Sequence, residues 1–391
     1  MTMLPETSSL LCAYRNGRLS RAHVERFAAE LAMRHGKMAV DAHAGEPCIG
    51  YSGKVGLILQ NVFLHEGQMI LHPLREGRYV TDDSNKGALR DVASVVLELE
   101  MLGQSTLGNF FLAAWLEQSG DFDGLGTLRS HIAREALLFV DQQKAAPAPS
   151  AHIGIGDENS GVGRALRIAS ECQKPVRPGS MMITHGLSGA GKTTLATALA
   201  GLVGAIVVRN DVELIRLKRD HAVLGDDPAL GRGMLIDRLE MLAAQAIDAG
   251  WPVIVESCFL DRANRQRFRA KAAELGAPFA VLECLAPLSA IRERLNKRRA
   301  FGSLFHGEDA SADQVQERLQ AQMERTDPLD EYERVNTITV DTSKQVDHQQ
   351  LANWVLGLGW WGTDTRSGAC ASVPPRRPRP QCTKEIQAAA P

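Results

Sequence analysis

Met181-Met-Ile-Thr184-His185-Gly186-Leu187-Ser188-Gly189-Ala190-Gly191-Lys192-Thr193-Thr194 is the stretch that decides the fold. An apolar run leads into Gly-x-x-x-x-Gly-Lys-Thr, and the helical run TTLATALAGLVG follows, so the pattern reads strand, phosphate-binding loop, helix. Glycines at 186, 189 and 191 let main-chain N–H groups converge on an anion without interference from a Cβ. The positive end of the following helix points at the same place. Gly186, Leu187, Ser188, Gly189, Ala190, Gly191, Lys192, Thr193 and Thr194 are therefore the expected contacts of ATP. Lys192 is expected to reach the β- and γ-phosphates, Thr193 to offer its hydroxyl to Mg²⁺, and Thr194 to approach the α-phosphate. The bland alternative is a glycine-rich turn that happens to contain a lysine.

Outward from this loop, β-rich runs alternate with amphipathic ones from about 178 to 357. Strands are expected at Met181–Thr184, Ala205–Arg209, Pro252–Glu256, Phe279–Glu283 and Thr337–Asp341. Helices are expected over 192–203, 228–249, 262–275, 287–299, 311–324 and 346–356. Such alternation predicts an α/β fold: a three-layer parallel sheet covered by crossover helices on both faces. The first 143 residues read as a mixed α+β, mostly helical domain, with helices over Ser20–Met38, Leu89–Leu116 and His131–Lys144. Alternating and apolar runs fill Gly50–Leu74. Residues 144–161, KAAPAPSAHIGIGDENSG, have linker chemistry, and the expected division is 1–143, a lead-in over 144–177, the sheet domain over 178–360, and a tail over 361–391. That tail holds PPRRPRP at 374–380 and reads as a solvated disordered segment, with docking to an SH3-like groove or an acidic surface as the alternative.

Composition narrows the class. Of 391 residues, 44 are Lys or Arg and 46 Asp or Glu, giving a net charge of −2, which makes a nucleic-acid partner unlikely on electrostatic grounds. The seven cysteines are scattered without a C-x-x-C pair, so neither a zinc ribbon nor a disulfide framework is expected. No window approaches the roughly 18 apolar residues of a membrane span. A soluble, unprocessed protein in a reducing cytoplasmic setting is the expectation.

Three further groups carry chemistry. Asp211 follows the second strand, VVRND, at the carboxyl edge of the sheet beside the phosphate loop, and is the general-base candidate for a hydroxyl acceptor. Capping the helix VELIRLKR is its alternative role. Glu256 ends the apolar run Trp251–Val255 and is the metal-side acid, with a solvated strand end as the alternative. Arg294 and Arg298 share a helix face as an i, i+4 pair able to close on phosphates, ahead of the Gly/Ser-bearing 301–311 segment, which reads as a lid. A solvated basic face is the competing reading.

These segments together, GLSGAGKTT, VVRNDVE, AGWPVIVESCFL, DRANRQRFRAKAAELGAPFAVLECLAP and QMERTDPLD, resemble the small P-loop kinases related to gluconate kinase, zeta-toxin-type kinases and polynucleotide 5′-kinase. The closer resemblance is to bacterial two-part proteins that couple an aminoglycoside-phosphotransferase-like domain to such a kinase. It implies a P-loop NTPase fold, ATP and Mg²⁺ as cofactors, and phosphoryl transfer. Two departures matter: Leu214 stands where the family carries an Arg three residues after the Asp, and Glu256 replaces an Asp. The segment Arg90–Leu125 resembles late helices of the phosphotransferase-like domain. In Val55-Gly56-Leu57-Ile58-Leu59-Gln60-Asn61, Gly56 and Asn61 match that family's loop, but Leu57 stands in place of its catalytic Asp. His72 or Pro73 falls where its metal-binding Asp is expected. The resemblance therefore implies a pseudokinase remnant; a different alignment, with an active site elsewhere, is the competing reading.

The leading functional expectation is an ATP-dependent phosphotransferase acting on a small-molecule hydroxyl. A nucleotide-hydrolysing switch that controls a partner protein is the alternative from another class, distinguished by slow ATP hydrolysis without any acceptor. A polynucleotide 5′-kinase is favoured by Arg216, Lys218 and Arg219 near Asp211, and steep salt sensitivity of single-strand binding would mark it. Acceptor identity and oligomeric state are not encoded in any single motif.

Overall fold

The computed structural model describes residues 9–43, 59–65, 68–71, 84–145, 160–174, 178–220, 228–300 and 312–357. Gly56, Leu57, His72 and Pro73, the 301–311 segment, the 361–391 tail and most of the 144–161 stretch lie outside the described residues.

The amino-terminal part is helical around one small hairpin. Helices α1 (Leu10–Arg15) and α2 (Arg21–His43) precede a 3-10 turn at Leu59–Asn61 and the antiparallel strands β1 (Val62–His65) and β2 (Gln68–Leu71). Then come α3 (Ser84–Met101), α4 (Ser105–Ser119), α5 (Leu125–Ala145) and α6 (Gly161–Gln173). The single helix expected over Leu89–Leu116 is in fact two, because Gly103 adopts φ +71°, a left-handed conformation that ends α3 and lets the chain reverse. Helix α6 falls inside the stretch read as lead-in. Ser160 caps it by accepting from the Gly163 N–H, and Val162, Ala165 and Ala169 are buried as it packs on α5. Inside this unit Trp115 Nε1 donates to His35 Nδ1 at 3.3 Å, which leaves His35 Nε2 to donate to Asp91 at 3.2 Å. Burial pushes the Asp91 carboxyl above its ordinary range.

The carboxy-terminal part alternates as expected: β3 (Met181–His185), α7 (Lys192–Val203), β4 (Ile206–Arg209), α8 (Asn210–Asp220), α9 (Pro228–Asp248), β5 (Val253–Glu256), α10 (Arg262–Glu274), β6 (Phe279–Leu285), α11 (Leu288–Ala300), α12 (Ala312–Glu324), α13 (Glu331–Val335), β7 (Thr337–Asp341) and α14 (His348–Gly357). The five strands pair in parallel in the order β4-β5-β3-β6-β7. Period-two alternation divides their side chains between the faces. Met181, Ile183, Val253, Val255 and Val281 join one core with α9 and α10, while Met182, Ile254, Ala280, Leu282 and Ile338 join another with α7, α11 and α14. Both faces are buried, which explains why these strands read as continuous apolar runs.

The amino-terminal helices share the first of those cores. Helix α4 packs on both α7 and β4, the strand at one end of the sheet order. Asn109 Nδ2 donates to the Gly201 carbonyl at 2.8 Å, and a Cβ at Gly201 would lie 2.2 Å from the Phe110 ring, so only glycine permits this approach of α4 to α7.

Candidate active site

The site lies at the carboxyl ends of β3, β4 and β5, where an open parallel sheet presents its ligand crevice. Hydrogen bonds lock these three tips together. Thr184 Oγ1 donates to the Ser257 carbonyl at 2.6 Å and accepts from the Ser257 N–H at 3.1 Å, and Ser257 Oγ donates to Asn210 Oδ1 at 3.1 Å. Phe259 completes the turn with φ +44°, buried edge-on against Phe268. The preceding Cys258 carbonyl accepts from the Gly186 N–H at 3.1 Å, so the β5 tip fixes the start of the phosphate loop.

Within the loop, Gly186 has φ +137°, and a Cβ there would meet the Cys284 carbonyl at 2.5 Å. Gly191 is the left-handed N-cap of α7, and no side chain caps that helix. The first amides of α7 are thereby left for an anion, as a phosphate site requires. Lys192 is only 6% exposed, with its Nζ donating to the Leu187 carbonyl at 2.9 Å across the same loop. Gly189 and Ala190 are buried, Leu187 and Ser188 half-buried, and Thr194 exposed.

Thr193 and Glu256 meet as their sequence positions imply. Thr193 Oγ1 donates to Glu256 Oε1 at 3.1 Å, and Glu256 is itself 6% exposed. Burial raises the Glu256 carboxyl above its ordinary range; nearby Lys192 opposes that shift and the Asp211 charge reinforces it. A hydroxyl and a carboxylate of oxygen character at one point suit Mg²⁺, which keeps few protein ligands when phosphates and waters supply the rest. Among the described residues there is no cluster of three or more His, Cys, Asp or Glu side chains that would make a self-contained metal cage.

Asp211 lies in the first turn of α8, two residues beyond Arg209, whose register partner is Glu256. Its Oδ2 accepts from Arg209 Nη2 at 2.7 Å, and its Oδ1 from the Val212 N–H at 2.9 Å. The carboxylate expected to act as base is thus held by a guanidinium and at the same time serves the helix start.

Arg294 and Arg298, the expected pair, lie on the same helix α11 but have different surroundings. Arg294 Nη1 donates to the Gly189 carbonyl at 3.2 Å and to Thr342 Oγ1 at 3.1 Å, while Nη2 donates to the Thr342 carbonyl at 2.6 Å. Thr342 Oγ1 donates in turn to the Ala190 carbonyl at 2.7 Å. Arg294 therefore braces the loop from outside through its carbonyls. Arg298 is exposed and makes no hydrogen bond or ion pair with the other described residues, in keeping with a solvated basic face.

Other contributors escaped the sequence reading. Gln322 on α12 accepts from the Ser188 N–H at 2.9 Å and donates to Ser188 Oγ at 2.9 Å. Arg265, fully buried, pairs with Glu333 at 2.8 and 3.0 Å and donates to the carbonyls of Phe259, Leu260 and Pro328. His185 Nδ1 bonds the same Phe259 carbonyl at 3.0 Å, and burial pushes its imidazole below the ordinary range. Thr342 just past β7 was within reach of the strand-tip rule that found Asp211 and Glu256; Gln322 and Arg265 are polar residues on helices, with no local signal to separate them from surface positions.

Residues 181–329 match the family model described as "AAA domain". An uncharacterized protein of Mycobacterium tuberculosis is 26% identical over 276 residues, which take in 68% of this chain and 54% of that protein. The same figures hold for an uncharacterized protein of Mycobacterium bovis, so the chain spans about half the length of the curated relatives it matches. Among solved structures, a putative kinase from Chloroflexus aurantiacus aligns at 22% identity and TM-score 0.39, over 46% of this chain and 98% of that one. A gluconokinase from Sinorhizobium meliloti aligns at 23% identity and TM-score 0.32, over 46% and 95%. The sheet order, the loop geometry and the family match together make the carboxy-terminal part of the chain a P-loop domain of α/β, P-loop NTPase fold, similar over residues 181–329 to the AAA domain family.

Proposed function

We propose that the chain is an ATP-dependent phosphotransferase that moves the γ-phosphoryl group of Mg·ATP to a hydroxyl of a small-molecule acceptor. The observation that carries this reading is the Thr193–Glu256 contact beside the uncapped start of α7, because it joins the two oxygen donors an ATP-bound Mg²⁺ needs to the amides that hold phosphate. Bound Mg²⁺ would neutralise charge that develops on the phosphoryl oxygens. Lys192 exchanges its Leu187 carbonyl for phosphate oxygens, and the loop amides orient the chain of phosphates. Asp211 accepts the acceptor's proton, with Arg209 fixing the direction of its carboxylate. The amino-terminal unit is read as a degenerate phosphotransferase-like domain, on the strength of Leu57 at the position of a catalytic Asp. Among the described residues no helix is long and apolar enough to cross a membrane, and a cytoplasmic setting is proposed from the scattered cysteines, of which the described ones, Cys12, Cys172, Cys258 and Cys284, form no disulfide.

The test is a screen of a metabolite pool for products phosphorylated only when the chain and Mg·ATP are both present. Acceptor-dependent ADP release supports the phosphotransferase. Slow ADP release that no hydroxyl compound stimulates supports the switch reading instead, which the grip of α8 on the end of α4 by Arg216 favours.

A further inference from the structure

Arg209 stands where the two parts of the chain touch. Its Nη2 donates to Asp211 Oδ2 at 2.7 Å, and its Nη1 donates to Glu117 Oε1 on α4, also at 2.7 Å. One planar guanidinium is thus shared by a carboxylate of the phosphate-loop domain and one of the amino-terminal unit, a geometry that a lysine's point charge would not fix. The main chain of Glu117 is held as well. Arg216 on α8 donates to the carbonyls of Leu116, at 3.2 Å, and Glu117 in the last turn of α4, where the Leu116 carbonyl also accepts from the capping Gly120 N–H at 2.8 Å. Gly120, the left-handed cap of α4, leaves the room: a Cβ there would lie 3.1 Å from Arg216 Nε. Arg216 is in turn paired with Glu213, which also receives Arg238 from α9 at 2.5 Å. The backbone of Glu117 is therefore anchored by α8 while its side chain anchors Arg209, and Arg209 anchors Asp211.

We propose that Glu117 is a positioning residue for phosphoryl transfer, so that the amino-terminal unit completes the acceptor side of the active site by holding Arg209 against Asp211. This rests on the reading of Asp211 as the base. Without the Glu117 carboxylate, Arg209 has one anionic partner instead of two and can swing with Asp211 away from the loop. Transfer then slows while the phosphate loop, on the other side of β5, keeps its hold on nucleotide.

The experiment uses the full chain and its Glu117→Gln variant, which keeps size and removes charge. Mg·ATP affinity is measured by calorimetry, ADP release with water as the acceptor by a coupled assay, and amide exchange over 209–214 by mass spectrometry. The expected result is ADP release slowed about tenfold at saturating ATP, a dissociation constant within about twofold of the native value, and faster exchange at Asn210–Glu213. Glu117→Asp, which restores the charge on a shorter stem, recovers part of the rate. Unchanged exchange or an unchanged rate in Glu117→Gln overturns the proposal, and so does a parallel loss of rate, affinity and melting temperature, which would make the contact a structural tie only. If the native chain fails to bind Mg·ATP, the phosphotransferase reading falls and this inference with it; native binding with an unaltered variant removes the inference alone.

Discussion

The Thr193 hydroxyl donates to the Glu256 carboxylate at 3.1 Å, joining the eighth position of the phosphate loop to the tip of the neighbouring strand. Glu256 is buried in this position, and burial raises its carboxyl above the ordinary range, with the Asp211 charge reinforcing the shift and Lys192 opposing it. A carboxyl raised by burial stabilises the folded metal-free chain at low pH. That contribution is lost as pH climbs through the raised value, because the unfolded chain ionises more easily. In chelator, the melting temperature is expected to fall over the interval just above the ordinary glutamate range, and Glu256→Gln is expected to flatten the profile. Mg·ATP affinity should rise across the same interval in the native chain and not in the variant. A pH-independent native profile would contradict the burial assigned to Glu256.

Asp211→Asn separates binding from transfer. The amide keeps a hydrogen bond from Arg209 but cannot take a proton, so turnover is expected to drop about a hundredfold or more while Mg·ATP affinity changes little. Calorimetry and ADP release on the same preparation read the two quantities. Strong loss of nucleotide binding would place Asp211 on the phosphate side instead.

Arg265 holds the loop that follows β5. All its donors are used inside the protein, on Glu333 and on three carbonyls. Glu333 is buried, yet Arg265 and the Asp330 N–H hold its carboxyl below the ordinary range. Arg265→Ala leaves that carboxylate unpaired and is expected to destabilise the chain by about 3–5 kcal/mol in denaturant unfolding. A loss under about 1 kcal/mol would show that water reaches the pair.

Arg294→Ala tests the brace. Removing the guanidinium frees the Gly189 and Thr342 carbonyls it joins, so Mg·ATP affinity is expected to weaken about tenfold together with a stability loss of about 1–2 kcal/mol. Arg294→Lys restores little, since an ammonium cannot span both carbonyls in one plane. A fall in turnover with affinity untouched would instead return Arg294 to the role of a phosphate clamp.

Much of this was legible because it is local. The strand, loop and helix around Gly186–Thr194 are fixed by apolar run length, glycine spacing and the helix that follows, and the structure places β3 and α7 there. The placement of Asp211 and Glu256 beside the phosphate loop was legible because a polar residue that ends an apolar strand lies at the sheet's carboxyl edge. The break at Gly103 was missed because its neighbours continue the helical period and only backbone conformation reveals the stop. Arg294 was assigned by spacing along one helix, whereas its partner Thr342 is 48 residues away. Glu117 and Arg209 are 92 residues apart, and no periodic pattern links them.

The most direct test of the central claim is calorimetric titration of Mg·ATP into the native 391-residue chain and into Lys192→Ala. The account predicts a saturable one-to-one isotherm for the native chain and a loss of affinity of a hundredfold or more in the variant, with an unchanged circular dichroism spectrum. A native chain that gives no binding heat and no nucleotide-dependent rise in melting temperature, or a variant that binds as tightly as the native chain, would contradict it.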